Sequence, residues 1–116
     1  METITIYQKP SCSKCRETIK LLDTKGVPFQ AINYFFEPID RETLSVLLGK
    51  LGIRPIELFR KKEERFRELG IATRALTDEA LIDILVEYPE LIERPIVVRG
   101  DRAIVARPPE RILELF

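Results

Sequence analysis

Polar and apolar side chains alternate through residues 3–7, Thr3-Ile4-Thr5-Ile6-Tyr7, with the two-residue period of a strand. Lys9-Pro10-Ser11 breaks that period. Beyond Cys12 the inward positions become Cys15, Ile19 and Leu22, spaced as one stripe of a helix. Gly26 and Pro28 end the stripe. Residues 29–34 are aromatic and β-branched enough to predict a second strand. Strand, helix and strand within so short a stretch make a βαβ unit, whose strands must run parallel with a right-handed crossover.

The middle of the chain reads as helices. Asp40 is placed to cap one that carries Leu44, Leu47, Leu48 and Leu51 on a single face, and Gly52 stops it. Residues 54–70 are highly charged and predict short helical pieces with Leu58, Phe59, Phe66 and Leu69 inward. Thr77 caps a further helix with the stripe Leu81, Ile84, Leu85 and Tyr88, and Pro89 ends it. The period then returns to that of strands. Residues 95–99 form one, Gly100-Asp101 is a two-residue hairpin turn, and residues 103–106 return. Pro108-Pro109 opens a last short helix with Ile112, Leu115 and Phe116 inward. The expected fold is α/β: a mixed four-stranded sheet, with a helical insertion between the βαβ unit and a C-terminal β-hairpin. No linker is visible, so residues 1–116 are expected to be one domain, with monomer as the default state.

Composition narrows the chemistry. Nineteen basic and nineteen acidic residues cancel, which removes bulk attraction to nucleic acid. The signs alternate through residues 60–65, which reads as a solvated helix face. No apolar run has the length of a membrane span, and the start of the chain lacks the pattern of a signal peptide, so the expected location is cytoplasmic. Histidine is absent, and with it the usual general base and the Cys–His nucleophile pair. With only two cysteines, one chain cannot build a four-thiolate zinc site, and no metal or bound cofactor is expected.

Those two cysteines stand as Cys12-Ser13-Lys14-Cys15, where the first strand gives way to the first helix. A C-x-x-C beside a βαβ unit reads as a redox motif. A thiol at a helix N-terminus faces unpaired backbone N–H groups and the positive end of the helix dipole. Lys14 and Arg16 add positive charge nearby. Both effects favour the thiolate, and the same N–H groups, beginning at Ser13, suit an incoming oxyanion. Cys12 is the exposed attacker, and Cys15, one turn deeper, is placed to act as a resolving thiol. Two unrelated core cysteines, or a metal site completed by ligands from a second chain, are the alternatives to this reading.

Further residues carry a resemblance. Ile6-Tyr7-x-x-Pro10-x-Cys12 followed by Arg16, then Leu58-Phe59-Arg60-Lys61, Glu68-Leu69-Gly70, Leu76-Thr77-Asp78-Glu79 and Arg94-Pro95-Ile96-Val97-Val98, ending with Arg107-Pro108, resemble the ArsC family. This is the glutaredoxin-coupled arsenate reductase family, which also contains the Spx-type transcription regulators. The resemblance spans the chain in order and implies a thioredoxin-like fold. It implies that Cys12 attacks arsenate to form a thioarsenate, that Arg60, Arg94 and Arg107 hold the oxyanion, and that the Arg94–Pro95 bond is cis. It also implies an external thiol reductant, either thioredoxin or glutaredoxin with glutathione. Two positions depart from the reductase pattern: Gln8 stands where histidine is usual, and Cys15 where a hydroxyl residue is usual. With no histidine, thiolate stabilisation is expected to lean on the helix end, Lys14 and Arg16. With Cys15 present, a Cys12–Cys15 disulfide is expected to close after attack. The cysteine pair resembles the Spx branch, so a redox regulator that binds RNA polymerase is the alternative, as is a general thiol-disulfide oxidoreductase. A phosphatase-like reductase needs Cys-x5-Arg, and Thr18 occupies that arginine position.

Overall fold

A computed structural model describes residues 3–116; Met1 and Glu2 lie outside the described residues. The chain divides into two compact units, one ending at Glu37 and resuming at Arg94, the other Pro38–Glu93.

The first unit holds the sheet. Strand β1 (Ile4–Gln8), helix α1 (Ser13–Thr24) and strand β2 (Phe29–Asn33) form the expected βαβ unit, with β1 and β2 parallel and Ile4 opposite Phe29. Strands β3 (Ile96–Arg99) and β4 (Arg102–Val105) are the antiparallel hairpin. The order is β2-β1-β3-β4, and β3 runs antiparallel to β1. Period two along β1 turns Ile4, Ile6 and Gln8 to one buried face. On that face Leu22 of α1, together with Ile112 and Leu115 of a 3-10 helix (Pro109–Leu115), closes over Ile4, Ile6, Val97 and Ile104. Both Arg94–Pro95 and Arg107–Pro108 are cis; the first was expected and the second was not.

The second unit is helical. Helix α2 (Arg41–Leu51) begins where the Asp40 carboxylate accepts the Thr43 N–H at 2.8 Å, and it ends at Gly52 with φ 67°. That left-handed conformation is open to glycine without a steric penalty. A 3-10 turn (Pro55–Leu58), helix α3 (Glu64–Glu68) and a second 3-10 turn (Ile71–Thr73) are the short charged pieces. The Thr77 hydroxyl caps helix α4 (Asp78–Glu87) by accepting the Ala80 N–H at 3.1 Å. Helix α4 packs on α2, and a last 3-10 turn (Pro89–Leu91) leads back to the sheet unit.

Four side chains depart from expectation. Ile82, not Ile84, joins Leu81 and Leu85 as a buried residue of α4, because the buried stripe is wider than the single row the spacing marked. Leu69 is half-buried at the end of α3. Phe116 is 47% exposed, and its ring lies under Lys25 and Arg99 instead of entering the core. Among the described residues no helix is long and apolar enough to cross a membrane.

Candidate active site

The βαβ unit builds the site at the carboxyl end of β1. Cys12 is the N-cap residue of α1, extended at φ −84° and ψ 124°. Its own N–H donates to the Lys9 carbonyl at 2.9 Å, and its carbonyl accepts the Arg16 N–H at 3.1 Å, so backbone bonds on both sides fix the turn. The first N–H groups of a helix have no partner within it. Here those of Lys14 and Cys15 turn to the Cys12 sulfur.

The two cysteines are free thiols in opposite environments. Burial alone raises the Cys12 thiol, but donors outweigh it: the N–H and S–H of Cys15, the N–H of Lys14 and the Arg94 guanidinium bring it down to about 7. Cys15 is fully buried, which pushes it up to about 12; the Lys9 N–H, 3.5 Å from its sulfur, opposes that, and Cys12 adds to it. As pH rises through about 7 the pair therefore comes to hold one anion, on the half-buried sulfur, stabilised by a proton kept on the buried one.

Arg94 is 7% exposed. Burial works against its charge, while bonds to Tyr34 and to Cys12 favour it. The guanidinium lies over the Phe35 ring, 5.8 Å from its centroid. Its Nε and Nη1 are buried with no hydrogen-bond partner. Buried N–H groups are seldom left unpaired, and a planar fork of donors suits a tetrahedral oxyanion. Arg107 is held beside Arg94 by its Nη1, which donates to the Arg94 carbonyl at 3.0 Å.

The structure thus gathers Cys12, Cys15, Arg94 and Arg107 in the sheet unit. Arg60 belongs to the helical unit. There its N–H donates to the Leu91 carbonyl at 2.7 Å, its Nε lies 3.4 Å from Glu63 Oε1, and Nε and Nη1 are buried without a hydrogen bond. The side chains of Lys14 and Arg16 do not serve the thiolate as expected. Lys14 Nζ pairs with Glu17 at 3.4 Å, and Arg16 Nη1 donates to the Pro10 carbonyl at 3.2 Å. Arg94 is the cation that lowers the Cys12 thiol, because the N-terminal turn of a helix splays its own side chains outward while the backbone N–H groups point along the axis. Ser13, the first residue of α1, is exposed. Gln8 ends β1 at 6% exposure with its Oε1 unpartnered.

Tyr34 and Phe35 escaped sequence reasoning. Their signal lay in the parallel pairing: Gln8 is opposite Asn33, so the residues just after β2 emerge beside those just after β1. In α/β sheets that end is where ligands bind. Among the described residues no cluster of potential metal ligands occurs.

The family described as the ArsC family matches residues 7–115. The chain is 45% identical over 113 residues to the uncharacterized protein YfgD of Escherichia coli K12, covering 97% of this chain and 95% of that one. It is 38% identical over 116 residues to the arsenate reductase of the same strain, covering 100% of this chain and 82% of that one. The solved arsenate reductase from Vibrio cholerae matches with a TM-score of 0.94 at 40% identity, over 99% of this chain and 98% of that one. A thioredoxin-like α/β fold and a motif-bearing cysteine at its first helix thus go with relatives matched along nearly their whole length, and the chain belongs to the ArsC family.

Proposed function

We infer that this protein is an arsenate reductase that works through Cys12. The observation that carries the reading is the Cys12 sulfur itself, lowered to about 7 and bonded to an arginine that keeps two buried donors uncommitted. The anionic sulfur attacks arsenic, an S–As bond forms, and an arsenate oxygen leaves as water after taking up protons. Arg94 and Arg107 carry the oxyanion's charge during the attack. The family resemblance adds Arg60, and Arg60→Ala is expected to raise KM for arsenate.

Cys15 completes the turnover. Its sulfur attacks Cys12, the S–As electron pair stays on arsenic, and arsenite departs. The Cys15 proton goes to a departing arsenite oxygen. Once Cys12 carries arsenic it is no longer an anion, so its share in holding the Cys15 proton disappears. Two electrons reach arsenic and a Cys12–Cys15 disulfide remains, which an external thiol reductant, thioredoxin or glutaredoxin with glutathione, reopens.

The test is NADPH consumption in the presence of thioredoxin, thioredoxin reductase and arsenate, with a parallel glutaredoxin and glutathione arm. Consumption that requires both arsenate and Cys12 supports the reading. Consumption independent of arsenate would instead favour a general thiol-disulfide oxidoreductase, to which the Cys15–Cys12 hydrogen bond is equally suited.

A further inference from the structure

We propose that the helical unit carries a second binding site, for a small amphipathic acid: one carboxylate on an apolar body. The proposal goes beyond the reading of Cys12 and does not rest on it.

A cavity of about 410 Å³ opens in that unit, lined entirely by residues between Arg54 and Leu81. Phe66 of α3, Ile71 of the 3-10 turn after it and Leu81 of α4 give it an apolar floor. All three are buried. The Phe66 ring meets the Phe59 ring edge-on with centroids 5.7 Å apart, so packing fixes that part of the floor. The volume lies within the range of small-molecule sites, and a mainly apolar lining with a few polar groups is their usual composition.

The charge of the lining has one sign. Arg54, Lys61 and Arg74 line the cavity and no aspartate or glutamate does, although the chain as a whole is balanced. The three cations are not equally committed. Arg54 Nη2 lies 3.0 Å from Asp78 Oδ1, and the Arg54 N–H donates to Glu57 at 2.7 Å, so carboxylates answer it locally. Arg74 Nη1 donates to the Leu69 carbonyl at 3.2 Å, which anchors the guanidinium without neutralising it. Neither Arg74 nor Lys61 forms an ion pair among the described residues. Two uncompensated cations beside an apolar floor call for an occupant with the complementary pair of properties. A carboxylate meets the first, since a guanidinium offers it paired N–H donors and an ammonium a compact charge. An apolar body meets the second by covering the floor. An inorganic anion would leave the floor uncovered, and a neutral hydrocarbon would leave both charges unanswered.

The experiment titrates octanoate, below its micellar range, into the 15N-labelled full chain and follows the backbone amide signals by NMR. We expect saturable shifts that centre on Phe66, Ile71 and Leu81. 1-Octanol carries the same tail without the charge, and acetate carries the charge without the tail. Each should bind at least about tenfold more weakly than octanoate, since each forgoes one of the two contacts the cavity offers. Lys61 and Arg74 are exposed, so replacing them disturbs no core packing. The double variant Lys61→Gln, Arg74→Gln should lose about tenfold in octanoate affinity and bind 1-octanol as before, because only the charge contact is gone. The charge-keeping double variant Lys61→Arg, Arg74→Lys should restore octanoate binding. Octanoate shifts that fail to saturate or that centre elsewhere would overturn the proposal. So would 1-octanol binding as tightly as octanoate, or full octanoate affinity in the Lys61→Gln, Arg74→Gln variant.

Discussion

At the scale of single residues, the site separates two chemically identical thiols by environment. Cys12 gathers donors, and Cys15 is sealed away from water. Iodoacetamide should therefore label Cys12 with a midpoint near its lowered value of about 7, and leave Cys15 unlabelled in the folded protein. Arg94→Lys should raise that midpoint, because a compact ammonium cannot reproduce the planar guanidinium that lies over the Phe35 ring and helps lower the thiol. Linkage gives a second expectation. The folded-state Cys12 value lies below that of an unfolded thiol, so its stabilising contribution is present above the unfolded value and is lost as pH falls through about 7. Cys15 has the opposite sign: its contribution is present below the unfolded value and is lost as pH rises toward about 12. Urea midpoints of the protein and of Cys12→Ser should accordingly diverge between pH 6 and pH 9, with the unsubstituted protein gaining. The same midpoints staying parallel would remove the thiolate from the stability of the fold. Cys12 and Cys15 were legible from their motif and its place between strand and helix. Arg94 and Arg107 were legible only through the family resemblance, since nothing local distinguishes a buried guanidinium from a solvated one. Phe35 was not legible at all, because its ring contact with Arg94 joins segments far apart in sequence.

The elements themselves were readable where a chemical signal marks their ends. Asp40, Gly52 and Thr77 each sit at the helix boundary their chemistry demands. Thr77→Ala should cost about 1 kcal/mol, read as a lower urea midpoint at unchanged slope. Gly52→Ala meets no neighbour within 4 Å, yet φ 67° makes the new side chain strain the backbone, and a loss of about 1 kcal/mol is expected. Boundaries without such a signal were less legible. Phe116 has no such signal, and its ring lies under Arg99 instead of entering the core. In α4, Ile82 and Ile84 are both apolar, and only the packing of α4 against α2 decides which is buried. The C-terminal segment was read as a helix from Pro108-Pro109, and it is helical, though wound as 3-10.

At the scale of the molecule, the division into a sheet unit and a helical unit shows how one chain serves two structural tasks. The sheet unit is discontinuous, and its core is closed by residues from both of its segments: Ile4, Ile6 and Leu22 before the insertion, Val97, Ile104 and Ile112 after it. Leu22→Ala opens a cavity at the centre of that cluster and should cost about 2–5 kcal/mol, measured by urea unfolding. The insertion was legible as a run of helical stripes between two strand patterns, because the period of apolar positions changes from two to that of a helix and back. Residues beside the points where the chain leaves the sheet unit and re-enters it touch: the Phe35 ring centroid, just before the exit, lies 5.8 Å from the guanidinium carbon of Arg94, the first residue on return. An insertion that leaves and re-enters the sheet unit at neighbouring points need not set the spacing of the strands. Its length is free to drift over generations without shifting a strand, and a short bridge from Glu37 to Arg94 is the natural splice for an engineer who wants the bare sulfur-bearing scaffold.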